Sequence, residues 1–251
     1  MYSGDGPKEN RELIMANKHN VWMSVSDLMT GLMVIFLFVA IAYIMRVQKS
    51  TSILTDYVDT KTDLHDKLVN QFANDTTRWQ MTIGKDLSMK FNDPTTLFRS
   101  GSADITPEFK AVLNDFIPKY LDILLRDSLR RNINEIRIEG HTDDVPYPLY
   151  GDDPYIANIR LSQDRARNVL SYIRGIPAFR EYPLEDQELL NYWFTANGLS
   201  YGKALDSDGR YVYDSKRPID KAKSRRVEFR IITTGDKILE SFVRKSRTNG
   251  K

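Results

Sequence analysis

The chain contains no cysteine, three histidines among its 251 residues, and almost no excess charge. The absence of cysteine excludes disulfides, cysteine-based zinc sites and thiol catalysis. A formal net charge of +2, from 36 basic and 34 acidic residues, argues against nucleic acid as the main partner. The sequence also lacks a phosphate-binding glycine loop and a Ser/His/Asp pattern, which argues against an enzyme. No cofactor or metal is expected, and His141 is interpreted as a structural histidine because no second His or Cys stands at ligand spacing.

Charge is also lacking over the 18 residues from Leu28 to Met45. The apolar segment 21–45 is long enough to cross a bilayer, and no small-residue cleavage site follows it. These features predict an uncleaved transmembrane helix rather than a signal peptide. Basic residues flank both ends of the segment, so they leave its orientation open.

Asp27 interrupts the start of this apolar segment. An Asp at the centre of a spanning helix costs roughly 2.5–3.5 kcal/mol on insertion scales. Helical spacing places Ser24, Thr30 and Gly31 on the same face as Asp27, and this small, polar face would let another helix approach closely. Two interpretations stay open. Asp27 lies in water at the interface, or it is a protonatable, ion-carrying group that faces a partner subunit.

The segment 46–80 is rich in Thr and Asp and contains no Pro or Gly. Its apolar residues recur at helical spacing, which predicts an amphipathic helix that links the span to a domain. Pairing of this helix with a second copy would cover its apolar stripe. The stripe has two clusters, the first formed by Ile53, Leu54, Tyr57 and Val58, and the second by Leu64, Leu68 and Phe72.

A globular pattern begins at residue 81. Strands are predicted at "MTIGKDLSMKF", at "INEIRIEG" and at "RRVEFRIIT". Between them, one helix begins after the capping residue Thr106 with Pro107 in its first turn, and a second helix, "LSQDRARNVLSYIR", has Ser162 at its start. The alternation predicts a two-layer α/β sandwich over residues 81–234, followed by a C-terminal tail at 235–251. A fragment from about residue 80 to 251 is expected to fold alone.

The motifs "LFRSGSADITPEFK", "IEGHTDD", "NIRLSQDRARNVLSYI" and "SRRVEFRI" resemble, in order and spacing, those of the OmpA-like peptidoglycan-binding domain. The segment "SVSDLMTGLMVIFLF" resembles the first helix of the MotB stator family. Among MotB-like chains, it is most similar to the ZorB subunits of the Zorya anti-phage defence system. By this resemblance Asn158, Leu161 and Arg165 match the family's N-x-x-L-x-x-x-R binding pattern, and Arg226 matches an arginine of its C-terminal strand.

The chemistry of a peptidoglycan ligand supports two further residues. A diaminopimelate side chain ends in an ammonium and a carboxylate on one carbon, so its pocket needs an acid beside a base. Asp143 follows a strand and is available to the ammonium, while Arg165 offers a planar fork to the carboxylate. The helix N-terminus expected near Leu161 and Ser162 would add backbone donors. The alternative is that Asp143 and Arg165 form a purely structural salt bridge.

The resemblance implies an ion-conducting stator-type subunit that is anchored to peptidoglycan. Two copies would pair and sit inside five copies of a MotA/ZorA-like multi-span partner, and Asp27 would carry protons in preference to sodium ions. Residues 1–20 would be cytoplasmic, the span would lie in the bacterial inner membrane, and residues from 46 onward would be periplasmic. Residues Ile53, Leu54, Tyr57 and Val58 would plug the channel. A flagellar MotB and a plain cell-wall anchor without ion transport are the alternatives.

Two stretches depart from the family pattern. The segment 144–157 is long and rich in Pro and Tyr, so the rim of the pocket is expected to differ. The segment 175–195 carries more apolar bulk than a connector needs, and it either covers an edge of the domain or contributes to a dimer contact.

Overall fold

A computed structural model describes residues 8–92, 97–99, 101–147, 149 and 153–248 of the chain. The side chains of residues 8–24, 50 and 53 are outside this description, as are those of most residues after 241. The chain divides into two compact units, Met1–Thr55 and Asp56–Lys251.

Helix α1, Lys8–Phe72, runs for 65 residues. Within it, the stretch Val25–Phe72 contains a window of mean hydropathy 2.5 that is long and apolar enough to cross a membrane, and none of that window is buried inside the chain. Every side chain described between residues 25 and 49 is exposed. An apolar helix without cover from its own chain is what a lipid-facing segment requires.

The second unit contains a five-stranded sheet with the order β1-β2-β5-β3-β4. Strand β4 pairs with β3 in parallel, and the other neighbours are antiparallel. The strands are β1 Met81–Ile83, β2 Ser88–Phe91, β3 Ile133–Gly140, β4 Phe194–Gly198 and β5 Val227–Thr233. The helices that follow α1 are α2 Pro107–Leu124, α3 Asp127–Arg130, α4 Pro154–Gly175, α5 Pro177–Glu181, α6 Leu184–Trp193, α7 Val212–Ser215, α8 Lys221–Ser224 and α9 Thr234–Thr248.

The side chains of the neighbouring strands β3 and β5 show why the domain has two layers. Ile138 of β3 stands opposite Phe229 of β5, and the next pair in register is Glu139 with Glu228. Because successive side chains of a strand point to opposite faces, one face of the sheet is apolar and the other is charged. Helix α2 covers the apolar face, where the ring of Phe116 lies 5.1 Å from that of Phe229. The result is a two-layer sandwich.

Helix α4 lies close to the ends of β3 and β4 because two glycines permit it. A Cβ atom added to Gly140 would lie 2.2 Å from the carbonyl oxygen of Ser162, and one added to Gly198 would lie 2.4 Å from the backbone nitrogen of Gln163. Both distances are far below a van der Waals contact. Glycine at these positions therefore sets how α4 is placed against the loop that leaves β3.

Helix boundaries agree with the expectation in one case and differ in another. Thr106 caps α2, since its side chain accepts from the backbone nitrogen of Phe109 at 3.1 Å, as predicted. Helix α4, however, begins at Pro154 after the capping residue Asp153, so the prediction that it starts at Ser162 is wrong. Proline fits the first turn of a helix because its missing N–H has no partner there anyway.

Other expectations change as well. The predicted strand at 81–91 is a hairpin, in which β1 and β2 are joined by a turn where Leu87 has φ of 61°. Strand β4 was not predicted. The segment 175–195 packs onto the domain core through Phe179, Leu190 and Trp193.

The end of α1 belongs to the core of the second unit. Leu64, Leu68 and Phe72 are completely buried, and the ring of Phe72 lies 5.3 Å from that of Phe116. The expectation that a fragment starting near residue 80 holds the whole core is therefore wrong. At the other end, residues 235–248 of the predicted C-terminal tail lie in helix α9.

Candidate functional site

Asp143 lies in the loop that leaves β3, as the sequence predicts, and its side chain is completely buried. One carboxylate oxygen accepts from the backbone nitrogen of Val145 at 3.1 Å. The other accepts from Nη1 of Arg225 at 2.8 Å. The loop itself is held by backbone bonds, since the nitrogen of Thr142 donates to the carbonyl of Ser200 at 3.1 Å. The carboxylate is therefore fixed in place by its own chain.

Asn158 lies in the second turn of α4 and connects this helix to the same loop. Its Nδ2 atom donates to the carbonyl oxygens of Val145 and Pro154, both at 3.0 Å. Its Oδ1 atom and the hydroxyl of Thr142 are buried without a hydrogen-bond partner among the described residues. Buried polar atoms are normally paired, so these two are candidates for contact with a bound ligand or water. Leu161, one turn further along, is completely buried.

Arg165 lies in the middle of α4, on the side that faces the segment before α2. The residue is 5% exposed, its Nε donates to the carbonyl of Ser102 at 2.9 Å, and its guanidinium lies 4.9 Å from the ring centre of Phe98. Asp143 pairs with Arg225 instead, so the alternative of a structural salt bridge between Asp143 and Arg165 is not what the structure shows. The expected helix N-terminus beside Arg165 is also absent from this place, because α4 begins at Pro154.

Arg226 points into the charged side of the sheet. Its Nε donates to Glu228 at 2.6 Å, and its terminal nitrogens donate to the carbonyls of Ser224 and Lys203 at 3.3 and 3.1 Å. The side chain is fully enclosed. Its contacts hold β5 against the preceding loop. Arg226 therefore stabilises the interior of the domain and is not exposed at the surface of the site.

Glu139, His141 and Glu228 form a buried cluster on the charged face of the sheet. Nε2 of His141 lies 3.7 Å from a carboxylate oxygen of Glu139 and 3.6 Å from one of Glu228. Burial lowers the pKa of His141, against the opposing effect of the nearby Glu139 carboxylate, so its neutral form is favoured. Burial alone would raise the pKa of Glu228, but the surrounding positive charges, first of all that of Arg226, together hold that pKa below its usual value.

These three side chains place one ligand atom each within 4.8 Å of one another, which is close enough to hold a cation. The carboxylates are already paired, however. Glu228 binds Arg226 and Arg230, and Arg230 also contacts Glu139 at 3.3 Å. Two guanidinium groups balance two carboxylates, so an added divalent ion would leave an excess of buried positive charge. The arrangement favours the structural role expected for His141.

The predicted polar face of the apolar helix is exposed on the isolated chain. Asp27 and Thr30 are both exposed, and the hydroxyl of Thr30 donates to the carbonyl of Ser26 at 2.8 Å. A Cβ atom added to Gly31 would meet nothing within 4 Å. The side chain of Ser24 lies outside the described residues. This face is therefore open to a partner.

The four predicted plug residues differ in their surroundings. Leu54 and Val58 are 50% and 55% exposed. The hydroxyl of Tyr57 instead donates to Asp236 at 2.8 Å, and Lys61 pairs with the same carboxylate at 2.9 Å. The side chain of Ile53 lies outside the described residues. Tyr57 is thus held against the start of α9.

Residues 97–176 of the chain match the OmpA family. The Zorya protein ZorB of an Escherichia coli strain is 35% identical over 237 residues, which cover 92% of this chain and 92% of that protein. The chain belongs to the ZorB family. A second Zorya protein ZorB, from another Escherichia coli strain, is 25% identical over 218 residues, 84% of this chain and 79% of that protein.

Solved structures of the periplasmic domain of Helicobacter pylori MotB are also similar in fold. One is 15% identical, covers 64% of this chain and 85% of that chain, and has a TM-score of 0.41. Another is 17% identical, covers 67% of this chain and 97% of that chain, and has the same TM-score of 0.41.

The family resemblance and the fold class expected from the sequence are confirmed: a ZorB-family chain with an apolar N-terminal helix and an OmpA-type α/β sandwich. The matched OmpA segment contains Asp143, Asn158, Leu161 and Arg165. Arg225 and Arg226 lie beyond it. Arg225 was missed by sequence reasoning because two adjacent arginines look equivalent, and the signal that separates them is strand alternation, which turns Arg226 toward Glu228.

Proposed function

We propose that this ZorB-family chain is a stator-type subunit that is anchored to peptidoglycan, conducts protons with a MotA/ZorA-like membrane partner and acts in defence against phage. The observation that carries the proposal is Asp27, an exposed carboxylate in the otherwise uncharged apolar segment 21–45, on a chain that also contains an OmpA-type domain. A carboxylate in a membrane segment is costly, and such residues mark ion pathways.

Asp27 serves as the ion-carrying group in this proposal. One helix cannot enclose a pathway, so the exposed face of Asp27, Thr30 and Gly31 packs against partner chains, with two copies of this chain inside five partner subunits. Ser24 lies on the same face by helical spacing. Protons bind and leave Asp27 in turn, and one charge that crosses 100 mV releases about 2.3 kcal/mol to drive movement.

The OmpA-type domain supplies the anchor. Asp143 and Asn158 both bind the backbone of Val145, and Leu161 and Arg165 follow Asn158 along α4. The buried Oδ1 of Asn158, which has no partner among the described residues, supports a ligand there. Peptidoglycan is the ligand, with its diaminopimelate side chain as the recognised part. Arg226 contributes by fixing β5 behind the site. The chain performs no covalent chemistry in this scheme.

The topology follows from the anchor. The wall lies outside the inner membrane, so residues 1–20 are cytoplasmic, residues 21–45 span the membrane and residues from 46 onward are periplasmic. Residues 46–80 connect the span to the domain of 81–234. The helix around Leu54 and Val58, with Ile53 and Tyr57, plugs the channel until the domain reaches the wall; the exposure of Leu54 and Val58 supports this role.

The ion-carrying role is tested by Asp27→Asn, which removes the titratable charge at nearly constant volume. In cells that also express the MotA/ZorA-like partner, the variant is expected to assemble but to give no phage protection, while Asp27→Glu keeps part of it. Normal protection by the Asn variant would leave a plain cell-wall anchor as the function. If the loss were of swimming motility instead, the chain would serve as a flagellar stator.

The anchor is tested separately by sedimentation of the full-length protein with purified peptidoglycan sacculi. Arg165→Ala is expected to weaken binding by tenfold or more, since hydrogen bonds to charged groups contribute about 1.5–3 kcal/mol. Arg210→Ala is the matched control, because its side chain is 68% exposed and its ion pair, with Asp208, lies within its own turn. Equal sedimentation of wild type and Arg165→Ala would place the wall-binding site elsewhere.

A further inference from the structure

Asp236, in the first turn of α9, binds two side chains of α1. Its Oδ1 atom accepts from the hydroxyl of Tyr57 at 2.8 Å and lies 2.9 Å from Nζ of Lys61. Its Oδ2 atom accepts from the backbone nitrogen and the hydroxyl of Thr233, both at 2.8 Å. The backbone nitrogen of Asp236 donates back to that hydroxyl at 3.2 Å, which completes a capping box. The carboxylate is therefore fixed by its own helix and presents one oxygen to α1.

The ring of Tyr57 packs against the same turn of α9. A Cβ atom added to Gly235 would lie 2.6 Å from Cδ2 of that ring, so a larger residue there would displace the ring. Lys61 donates to the hydroxyl of Tyr57 at 2.8 Å and lies 4.9 Å from the ring centre. Tyr57 is thus held both at its ring and at its hydroxyl. We call the contact of Tyr57 and Lys61 with Gly235 and Asp236 the α9 clasp.

The side chains next to Tyr57 in the proposed plug are more open. Leu54 and Val58 are 50% and 55% exposed, whereas Tyr57 is half-buried. Tyr57 cannot lie in a channel while its hydroxyl and its ring are bound to α9. Occupation of the channel and occupation of the clasp therefore exclude each other, and the free-energy difference between the two contacts sets the populations of the two states.

We infer that the start of α9 is the docking site for the plug segment once that segment has left the channel, and that Asp236 positions Tyr57 there. The inference rests on the proposed plug and names the contact that competes with it. The side chains of Lys61 and Asp236 are only 21% and 24% exposed, so their ion pair is screened less than one at the surface. Loss of the clasp therefore shifts the population toward the plugged channel.

The absence of cysteine from the chain makes a labelling test possible. Val58→Cys introduces a single thiol at a position that is exposed in the clasped state and covered in the channel. A maleimide that does not cross the inner membrane is added to cells that express this full-length variant with its MotA/ZorA-like partner. In this background, Asp236→Asn and Gly235→Ala are each expected to slow labelling about fivefold or more. The first removes the charge that binds Lys61, and the second displaces the ring of Tyr57.

Asp63→Asn is the matched control, because it removes an ion pair with Lys67 on the same helix whose carboxylate is 51% exposed. It is expected to leave the labelling rate unchanged, and Asp236→Glu is expected to keep most of that rate. The inference is overturned if Asp236→Asn and Gly235→Ala label as fast as the parent or faster. It is also overturned if they slow labelling equally in cells without the partner, since no channel then covers the thiol.

A failure of the proposed plug gives a different result. If residues 50–60 block the channel, their removal raises proton flux through the complex reconstituted in vesicles. Flux that does not rise would refute the plug and, with it, this inference. A rise in flux together with unchanged labelling of Asp236→Asn and Gly235→Ala would refute the inference alone.

Discussion

The apolar helix and the globular domain treat charged side chains in opposite ways. Along residues 25–49 every described side chain is exposed, Asp27 included. In the domain, Glu139, Asp143 and Glu228 are buried, and each is paired with an arginine. The domain supplies its own partners, whereas Asp27 has no cover from the described part of its own chain. Under the proposed function, the first region depends on assembly, and the second depends on its own packing.

The same contrast continues within one helix. The part of α1 that is exposed and the part that enters the domain core are continuous in sequence, yet Leu54 is half exposed and Leu64 is completely buried. Burial of apolar side chains stabilises a fold, at roughly 1.5–3 kcal/mol for each large one. The end of α1 therefore stabilises the domain, and the compact unit starts at Asp56, well before its first strand.

Removal of residues 56–80 has the largest expected effect on the domain. A fragment of 81–251 lacks Leu64, Leu68 and Phe72. The loss of a large buried side chain costs roughly 2–5 kcal/mol, so three such losses are comparable to the whole net stability of about 5–15 kcal/mol. We expect the fragment 56–251 to unfold cooperatively on heating and the fragment 81–251 to be unfolded. Circular dichroism measures both. If the shorter fragment unfolded cooperatively at the same temperature, the end of α1 would contribute nothing to the stability of the core.

Gly140 in the domain and Gly31 in the apolar helix provide a second comparison of the two regions. Gly140→Ala would place Cβ against the carbonyl of Ser162, and overpacking of this kind costs about 1–3 kcal/mol. Gly31→Ala meets open space on the isolated chain. We expect the first change to lower the melting temperature of the domain. The second should leave the isolated chain unchanged and weaken its recovery with the membrane partner. An unaffected complex would mean that no helix packs closely at Gly31.

The smallest effect concerns the contact between α1 and the start of α9. Burial would raise the pKa of Asp236, but its hydrogen bonds, first of all to Lys61, hold that pKa below the usual value. A lowered carboxyl pKa contributes stability that is complete above the usual pKa of about 4 and is lost as the pH falls through the lowered value. Asp236→Asn should therefore cost about 1–2 kcal/mol at pH 7, and less below pH 3.

Thermal denaturation of the fragment 56–251 at pH 7 and at pH 3 measures this difference. Tyr57→Phe provides a control, because it removes one hydrogen bond and leaves the ion pair of Asp236 with Lys61 in place. A stability gap between wild type and Asp236→Asn that stays constant from pH 7 to pH 3 would show that the carboxylate contributes no charge-dependent stability.

Local patterns in the sequence were sufficient for several elements. Alternation located β3 and β5, and the cap at Thr106 followed from its side chain and Pro107. The start of α4 was missed because Asp153 and Pro154 stand in a stretch rich in Pro and Tyr that looks like a loop. The hairpin of β1 and β2 was missed because its turn has a leucine, rather than a glycine, in the left-handed region.

Long-range contacts were beyond the reach of local patterns. The helical spacing of Leu64, Leu68 and Phe72 is the same whether the stripe pairs with a second copy or enters the domain core, and the structure places it in the core. The partner of Asp143 could not be read from spacing either, because Arg165 and Arg225 are both compatible with a loop that follows a strand. The sequence alone names candidate residues for the site, but which of them pair with one another depends on the tertiary fold.

Ion flux through the assembled complex tests the central claim most directly. The full-length chain without residues 50–60, which removes the proposed plug, is reconstituted with its MotA/ZorA-like partner in vesicles that contain a pH-sensitive dye. An imposed potential is expected to acidify these vesicles, and Asp27→Asn in the same background is expected to abolish the flux while the complex remains intact on gel filtration. Flux of equal size with Asp27 and with Asn at this position would contradict the account.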